Sequence, residues 1–411
     1  MKKNVILIGL ILGVAGWRVA ADETSDAISA LKQQIQALDQ KVRVLERQKE
    51  LDKEAAAEKA KTTPKVVVGG SGLSVSSADT NFVFQLHGLV QIDNRTFFGE
   101  SKIKGNDGFL VRRARPIFSG TVARDFDFMF VPEFGGSSPQ IYDAYLNYRY
   151  QPWLQLRAGR FKVPVGLEYL QADPVTSFTE RSLVSALVPG RDVGFQLWGD
   201  TLGGRLSYAV GVFNGVGDGA NSSNSDFEDH REIAARLFAQ PFKKSDAAAL
   251  KGIGFGVGGS WGNVSSNSTG LPNKSGYATD GQQQFFSYTN GVAAAGDHWR
   301  VSPQAYWYFG PLSVMSEYAL SKQEVRRNAA KADLTHTAWQ VSVGYVLTGE
   351  DASYTGVTPK HPFNPSEGGW GAFQIVGRYA ELDIDNDTFP TFAGPNVSAT
   401  DAQAWAVGLN W

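Results

Sequence analysis

The sequence of 411 residues contains no cysteine and only three methionines. The lack of cysteine excludes a disulfide scaffold and any metal site with thiolate ligands, and it suits a secreted protein that needs no oxidative folding step. Apart from the extreme N-terminus, no apolar run approaches the roughly 18 to 20 residues that a membrane-spanning helix needs. A protein that crosses a membrane with helices is therefore excluded.

The chain also has little net charge, −2 at pH 7, and a mean hydropathy of −0.22. A nucleic-acid-binding protein needs a concentrated basic surface that shows in the overall balance, so the charge argues against this class. What the chain does have is glycine, with 45 residues, and aromatic residues, with 25 Phe, 14 Tyr and 10 Trp. Its length suits either two or three ordinary soluble domains or one large β-barrel, so length alone does not settle the number of domains.

The first 21 residues have the three parts of a secretory signal peptide. A basic start, MKK, precedes an apolar stretch over residues 5–17, and the small residues VAA at 19–21 provide a cleavage site. We predict a signal peptide over residues 1–21, with Asp22 as the first residue of the mature chain. Arg18 lies unusually close to this site, so the position of the cut stays open.

Residues 22–62 carry apolar residues at spacings of three and four, with Lys, Gln, Arg and Glu between them. These apolar residues are Ile28, Leu31, Ile35, Leu38, Val42 and Leu45. β-Branched residues at heptad position a and leucine at d favour a two-stranded coiled coil, although so short a seam would follow the symmetry of the rest of the protein. The alternative is a single amphipathic helix that lies on another surface. A linker over residues 63–80, rich in Gly and Ser, is expected to follow.

From residue 81 onward, segments of about ten residues alternate apolar and polar positions. This alternation predicts fourteen strands. They lie near 82–97, 109–123, 126–134, 140–150, 153–161, 192–199, 203–214, 229–240, 252–262, 300–309, 312–325, 334–348, 370–384 and 401–411. Short links such as ARDFD, YQPW, TLGG and FGPL alternate with long links that are rich in Gly, Asn, Ser and Asp.

The stretch FLVRRARPIFSGTVARDFDFMFVPEF at residues 109–134 indicates where these strands lie. Alternation places Phe126 and Phe128 on one face and Arg113 and Arg115 on the other. No helical pattern nearby offers a second layer for the apolar face, so lipid on one side and a water-filled lumen on the other satisfy both faces. Because hydrocarbon cannot satisfy an open sheet edge, we predict a closed, all-β, transmembrane antiparallel barrel over residues 81–411.

Two further features favour an outer-membrane barrel. Short and long links alternate, as periplasmic turns and outer loops do, and aromatic residues crowd the strand ends, as in QAYWYFGP. We therefore expect the barrel in the outer membrane of a Gram-negative cell and the preceding helix in the periplasm.

Arginine outnumbers carboxylates on the predicted lumen face, and rings of Arg and Lys select anions by charge and by bidentate hydrogen bonds. The predicted anion-binding and pore-lining residues are Arg95, Arg113, Arg115, Arg149, Arg157, Lys162, Arg181, Ser182, Arg191 and Arg378, with Asp93 and Asp143 as counter-charges. Alternatively, individual arginines only form ion pairs within the wall. Alternation sends Arg112 toward lipid, from where its side chain would snorkel to the interface.

The connection between the fifth and sixth predicted strands, residues 162–192, is about thirty residues long and contains Leu, Val and Phe. A solvated loop tip is not expected to be so long and so apolar. We expect this connection to fold into the barrel and narrow it, which would bring Lys162, Arg181, Ser182 and Arg191 toward the strand arginines. The alternative is a cover over the barrel mouth.

The sequence offers little for catalysis. It has five His, no Cys, no GxSxG-like nucleophile elbow and no evident metal-ligand spacing. We expect His87 to form hydrogen bonds in the lumen, and we expect no enzyme activity, no cofactor and no metal.

Several segments make the chain similar to the phosphate-selective porin O/P family of Gram-negative outer membranes. They are FLVRRARPIFSG, GRFKVPVGLEYLQ, FTERSLVSALVPGRDVGFQLWG, RVSPQAYWYFGP and GGWGAFQIVGRYAELDID. The resemblance covers nearly all of 81–411 and implies a trimer of sixteen-stranded barrels with an arginine-lined lumen and a constriction on an inward loop. Because about fourteen strands are predicted here, we expect that the last two strands of the family are lacking; a complete fourteen-stranded barrel is the alternative.

The sequence as a whole predicts a passive, homotrimeric outer-membrane porin that prefers anions, namely phosphate or related oxyanions. Its expected partners are inorganic or organic anions and outer-membrane lipid, and no nucleic acid. Three alternatives stay open: a structural tether that uses the coiled coil, a general porin without phosphate selectivity, and an outer-membrane enzyme.

Overall fold

The computed structural model describes residues 19–70, 72–98, 105, 107–136, 138–222, 231–265 and 276–411. Most of the predicted signal peptide, residues 1–18, lies outside the described part. The chain divides into two compact units, of which the first contains a single long helix and the second contains the β-sheet.

The long helix of the first unit, α1, comprises Val19–Thr62. Ion pairs one turn apart, such as Arg43 with Asp39 at 3.0 Å, support a solvated helix. The six heptad residues are between 48% and 67% exposed, so their apolar seam is free to contact another copy of the chain. Self-association of α1 stays a prediction. Among the described residues, no helix has the length and apolar character needed to cross a membrane.

The second unit is a large antiparallel sheet, with short helices and a second, two-stranded sheet in its connections. Its strands are β1 Lys65–Gly69, β2 Gly72–Ser76, β3 Val83–Arg95, β4 Gly108–Val122, β5 Phe126–Glu133, β6 Gln140–Gln151, β7 Leu154–Lys162, β8 Arg191–Thr201, β9 Leu206–Phe213, β10 Glu232–Ala239, β11 Ile253–Ser265, β12 Tyr277–Ala278, β13 Gln284–Phe286, β14 Ala293–Phe309, β15 Leu312–Arg327, β16 Ala330–Val346, β17 Gln374–Asp383 and β18 Asp401–Asn410. Two short helices lie in connections, α2 Leu167–Leu170 and α3 Ala248–Lys251. Consecutive strands pair with each other, except that β12 and β13 form the small sheet and β11 pairs with β14.

The large sheet has sixteen strands, two more than the sequence predicted. The additional strands, β1 and β2, lie in the segment 63–80 that was interpreted as a linker. β2 pairs with β3 from Leu73 opposite Leu86 to Ser76 opposite Val83, so β3 is not an edge strand and does not pair with β18. The hairpin escaped prediction because every residue of β1 is exposed, and no alternation marks it as half-buried. The expectation that two strands are lacking rested on a count of fourteen, whereas the sheet has the sixteen that the resemblance implies.

Polar and apolar residues occupy opposite faces of the sheet. In β16, the side chains of Gln340 and Ser342 are buried, whereas Trp339, Val341 and Val343 on the other face are exposed. Polar residues inside and an apolar band outside reverse the arrangement of a soluble protein. They are typical of a barrel that is surrounded by lipid.

The sheet is rolled, because one short stretch of the chain contacts strands near both ends of the strand order. Asn410 of β18 donates a hydrogen bond to the carbonyl oxygen of Ser177 at 2.9 Å, and Gln91 of β3 donates to that of Thr179 at 3.4 Å. The early and late strands therefore approach each other, as barrel formation requires. In the described residues, backbone pairing joins each strand to its neighbours in this order and does not join β1 to β18.

Residues 163–190, between β7 and β8, form what we call the inward segment. Its apolar side chains Leu183 and Leu187 belong to one buried cluster with Ala319, Ala338 and Ala380, which lie on β15, β16 and β17. Small inward-facing residues on these strands thus make room for the segment. An apolar core consequently lies on the inward side of the sheet, and it fixes the position of the polar residues described next.

Candidate functional site

Hydrogen bonds to carboxylates attach the inward segment to β15, β16 and β17. Glu317 of β15 accepts from the backbone N–H groups of Leu167 at 2.7 Å and Glu168 at 3.0 Å. Glu168 accepts from Gln340 of β16 at 3.2 Å and from Arg378 of β17 at 2.9 Å. Because α2 begins at Leu167, Glu317 satisfies N–H groups that a helix leaves unpaired at its start. These contacts place the segment against the inward face of the barrel wall.

Four of the predicted cations gather around two tyrosine rings. We call this group the tyrosine cluster, and it consists of Tyr142, Tyr169, Arg115, Lys162, Arg181 and Arg191. The guanidinium groups of Arg115 on β4 and Arg191 on β8 lie 4.1 and 4.0 Å from the ring centroid of Tyr142 on β6. An aromatic ring attracts cations to its face, so Tyr142 holds two like charges close together in the wall.

The second ring of the tyrosine cluster belongs to the inward segment. Arg181 lies 5.0 Å and the Lys162 ammonium 5.8 Å from the ring centroid of Tyr169. Both cations also donate to the carbonyl oxygen of Gln171, at 2.9 and 2.7 Å. The backbone of the inward segment therefore determines where these two charges lie.

Carboxylates compensate most of this positive charge. The partners of the tyrosine cluster are Glu133, Asp143 and Asp173. Asp173 of the inward segment contacts Arg115 and lies 2.6 Å from Arg181, and Asp143 lies 3.1 Å from Arg191. Four cations and three carboxylates leave one positive charge in excess within this group.

The pKa values of Asp173 and Arg181 in the inward segment are shifted so that both side chains stay charged. Burial by itself would raise the pKa of Asp173, but Arg181, Lys162 and Arg115 lower it well below the usual range of an aspartate. Burial would lower the pKa of Arg181, but Asp173 outweighs this effect and raises that pKa. Asp173 and Arg181 therefore stay ionised across the pH range of ordinary experiments.

A second group of cations surrounds Glu180 of the inward segment. We call it the Glu180 cluster, and it consists of Asp93, Arg95, Arg112, Arg113 and Glu180. Glu180 Oε1 lies 3.1 Å from Arg95 Nη2, and Oε2 lies 3.1 Å from Arg112 Nη2 and 3.3 Å from Arg113 Nη2. Asp93 pairs with Arg95 at 2.8 Å. One carboxylate thus binds three guanidinium groups from two adjacent strands.

A β-bulge brings Arg112 into this cluster. Gln91 pairs with Arg113 and Ile92 pairs with Val111, which leaves Arg112 as an extra residue in β4. Because a bulge interrupts the alternation, Arg112 and Arg113 both reach the inward segment. The expectation that Arg112 turns toward lipid is wrong, since strict alternation assumes an uninterrupted ladder.

Arg378 of β17 links the inward segment to the connection between β12 and β13. It pairs with Glu168 at 2.9 Å and with Asp280 at 2.5 Å, and it lies 4.2 Å from the ring centroid of Phe178. Ser182 is buried and donates to Glu168 through its hydroxyl at 2.6 Å and its N–H at 2.8 Å. Ser182 therefore holds a carboxylate in place instead of lining open space.

Comparison with known proteins shows the family of the chain. Residues 84–411 match the family described as phosphate-selective porin O and P. The chain belongs to this family. It is an outer-membrane porin with a β-barrel fold. Porin O of Pseudomonas aeruginosa is 24% identical over 374 residues, which cover 84% of this chain and 83% of that protein.

Two solved structures are also similar to the porin. The outer membrane channel DcaP of Acinetobacter baumannii is 12% identical, with a TM-score of 0.47 over 84% of this chain and 88% of that one. A loop L8 deletion mutant of OmpT, an outer membrane protein of Vibrio cholerae, is 10% identical, with a TM-score of 0.46 over 80% of this chain and 88% of that one.

In the porin, Arg157 of β7 lies apart from the tyrosine cluster and the Glu180 cluster. Its guanidinium lies 4.5 Å from the ring centroid of Tyr145, 4.9 Å from that of Trp198 and 5.4 Å from that of Phe161. Within the part of the chain that the structure describes, no carboxylate forms an ion pair with Arg157. The aromatic cage therefore carries a positive charge that no carboxylate offsets by direct contact.

Arg149 does not join the other predicted site residues. It lies near the end of β6, where its half-exposed side chain pairs with Asp127 at 3.0 Å and donates to the carbonyl oxygen of Arg124 at 2.5 Å. Arg124 belongs to the short turn between β4 and β5, so Arg149 lies at the rim of the barrel wall.

Sequence reasoning missed the acidic half of the site. Glu168, Asp173 and Glu180 lie in the connection that was predicted to fold inward, and each pairs with at least one arginine that was chosen for the lumen. The signal was present, because any carboxylate on a segment that enters an arginine-lined lumen is expected to find an arginine. The residues predicted from this connection were Lys162, Arg181, Ser182 and Arg191, none of which is a carboxylate.

Arg160 of β7 is a buried residue that alternation did not reveal. Alternation from Arg157 would turn Arg160 and Lys162 outward, yet Arg160 is buried and Lys162 contacts the inward segment. Gly159 between them has a φ of 124°, which a side chain would strain, and it lies directly against Tyr145 of β6. Pairing with β6 and β8 continues through Gly159 without a register shift, so strand alternation by itself does not account for the burial of Arg160.

Proposed function

We propose that the porin conducts passively and prefers anions, and that phosphate or related oxyanions are its preferred solutes. The observation that carries this proposal is the tyrosine cluster, where Arg181 of the inward segment and Lys162 at the end of β7 lie near two arginines of the wall. Its one excess positive charge raises the local concentration of anions in a narrow, water-filled lumen.

The chemistry of the cations favours oxyanions over chloride. A guanidinium offers a planar fork of donors that matches two oxygens of a phosphate or carboxylate, whereas chloride gains from the charge alone. Several moderate contacts in series also permit release, which a single tight site would hinder. The family description supports phosphate among the oxyanions. The proposed pore-lining residues are Arg95, Arg113, Arg115, Arg157, Lys162, Arg181, Arg191 and Arg378.

The proposal includes the organisation of the whole protein. Residues 1–21 serve as a signal peptide, residues 22–62 form a periplasmic coiled coil, and three copies of the chain assemble into a homotrimer. The exposed heptad seam of α1 supports the coiled coil, because an apolar stripe on a solvated helix gains stability from a partner helix.

Lys162 provides the most direct test, because it is the one cation of the tyrosine cluster that pairs with no carboxylate in the described structure. In Lys162→Gln, Arg181 still donates to the carbonyl oxygen of Gln171 at 2.9 Å, so the inward segment keeps a contact at this position. We expect the chloride-to-potassium permeability ratio to fall roughly threefold, because one of few excess charges is lost. Reversal potentials in planar bilayers under a KCl gradient measure this ratio.

A matched control is Lys331→Gln near the start of β16. Lys331 is largely exposed and pairs with Glu324 at 3.3 Å, so its removal should leave the permeability ratio unchanged. An unmodified porin without anion preference would contradict the proposal. An anion-preferring porin whose chloride current is insensitive to phosphate would instead be a general porin.

A further inference from the structure

Glu180 occupies the position that a free oxyanion would take among three arginines. Its two carboxylate oxygens accept from the guanidinium groups of Arg95, Arg112 and Arg113 at 3.1 to 3.3 Å, with an additional close contact from Arg112 Nε. This is the geometry in which arginines bind a carboxylate or phosphate from solution. The difference is that the carboxylate of Glu180 is tethered to the inward segment.

Other contacts hold these three guanidinium groups in position. Arg95 also pairs with Asp93 at 2.8 Å and donates to the carbonyl oxygen of Gly281 at 2.9 Å. Arg113 also donates to the carbonyl oxygen of Thr179 at 3.2 Å. Two of the three arginines therefore keep partners that fix their place when the carboxylate of Glu180 is removed.

The backbone at Glu180 is fixed separately from its side chain. Arg378 donates to the carbonyl oxygen of Glu180 at 3.2 Å through Nη1 and at 3.1 Å through Nη2. Asn410 holds the nearby carbonyl oxygen of Ser177 at 2.9 Å. Loss of the side-chain charge thus leaves this part of the inward segment attached to β17 and β18.

We propose that the three arginines of the Glu180 cluster form an oxyanion site and that the Glu180 carboxylate is its tethered competitor. Without that carboxylate, Asp93 is the one ion-pair partner of these guanidinium groups among the described residues, so Arg112 and Arg113 are left without an ion pair. Such a site fits a doubly charged oxyanion, as hydrogen phosphate is near neutral pH. This inference rests on the proposed anion preference and assigns Glu180 the task of keeping oxyanion binding weak enough for release.

Glu180→Gln tests the proposal, because glutamine keeps the size of the side chain and removes its charge. We expect the phosphate concentration that half-blocks the chloride current to fall on the order of tenfold, since a like charge at about 3 Å no longer opposes the bound oxyanion. Adding Arg112→Gln to this variant should reverse most of the gain. The matched control is Glu367→Gln, an exposed carboxylate in the connection between β16 and β17, which should leave the block unchanged.

An unchanged half-blocking concentration in an inserted, conducting Glu180→Gln porin overturns the proposal. A gain that survives the additional Arg112→Gln change also overturns it, because the oxyanion would then bind elsewhere. If Glu180→Gln does not insert, Glu180→Asp replaces it, and the shorter carboxylate should produce a smaller gain in the same direction. An unmodified porin that lacks anion preference counts against the proposed function, whereas the Glu180 variants are compared with the unmodified porin and test this site alone.

Discussion

Arg115 is 5% exposed and contacts two carboxylates, Glu133 from the neighbouring strand and Asp173 from the inward segment. It also lies against the ring of Tyr142. An arginine so enclosed contributes to the structure of the lumen as well as to its charge. Its two carboxylates would remain buried without a full partner if its charge were removed, which is far more costly than the loss of an exposed pair.

Arg115→Gln should therefore lower the stability of the barrel by about 3 kcal/mol, the usual cost of breaking a buried ion pair. The matched control is Arg149→Gln, which removes an arginine whose ion pair with Asp127 is partly solvated and should cost under about 1 kcal/mol. Urea denaturation of both variants in detergent micelles measures the difference. Equal urea midpoints of unfolding for the two variants would show that the ion pairs of Arg115 do not stabilise the barrel more than that of Arg149.

At the scale of elements, the hairpin β1–β2 changes the role of residues 63–80. Its backbone pairs with β3 over Leu73–Ser76, so its removal would leave the N–H and C=O groups of β3 without partners. Hydrocarbon cannot replace these hydrogen bonds, and an unpaired strand in lipid is strongly disfavoured. The hairpin is thus part of the wall, and α1 before it belongs to the other compact unit.

Deletion of residues 65–76 should prevent stable assembly of the porin in the outer membrane. Deletion of residues 25–60 is the control, because it removes the helix and leaves all sixteen strands. We expect the helix-deleted porin to insert and to retain its single-channel current. Resistance of the folded barrel to unfolding in detergent at room temperature, seen as a mobility shift on gels, measures assembly, and planar-bilayer recording measures the current.

The opposite pattern would contradict this division of roles. A porin that loses its current without residues 25–60 would show that the helix is coupled to conduction. A porin that assembles and conducts without residues 65–76 would show that β3 can serve as an edge of the barrel wall.

At the scale of the whole molecule, the selectivity of the pore depends on the sum of its charges, and this sum changes with pH. Burial raises the pKa of Asp280 above the usual value for an aspartate, although Arg378 opposes this shift. The pKa of Asp173 is shifted in the opposite direction. As the pH falls, Asp280 therefore takes up a proton before Asp173 does, and the lumen beside Arg378 becomes more positive.

Asp280→Asn should therefore make the porin more anion-selective than the unmodified protein at pH 7, by roughly twofold in permeability ratio. The difference between the two proteins should shrink as the pH falls toward about 4, because the unmodified aspartate then becomes neutral as well. Reversal potentials of both proteins over this pH range measure the effect. A difference in permeability ratio that stays constant down to pH values of about 4 would contradict a raised pKa of Asp280.

The sequence by itself determined the fold class and most of the strands. Alternation in strands such as β16 required lipid on one side and water on the other, and no helical pattern offered another cover for the apolar face. The long apolar connection after β7 also indicated that a segment enters the barrel, and Arg115, Arg181 and Arg191 could be chosen from their positions. These features follow from local periodicity and connection length, which are properties of the chain itself.

Only the tertiary structure decided which charges meet and which strands complete the wall. The pairing of Glu180 with Arg112 joins residues 68 positions apart and depends on a bulge that alternation does not show. The contact of Arg115 with Asp173 depends on where the inward segment lies, and the strand β1 is defined by pairing with β2 instead of by a buried face. Periodicity reports which face of a strand a residue occupies, whereas the partner of a charge depends on distances between segments that are remote in the chain.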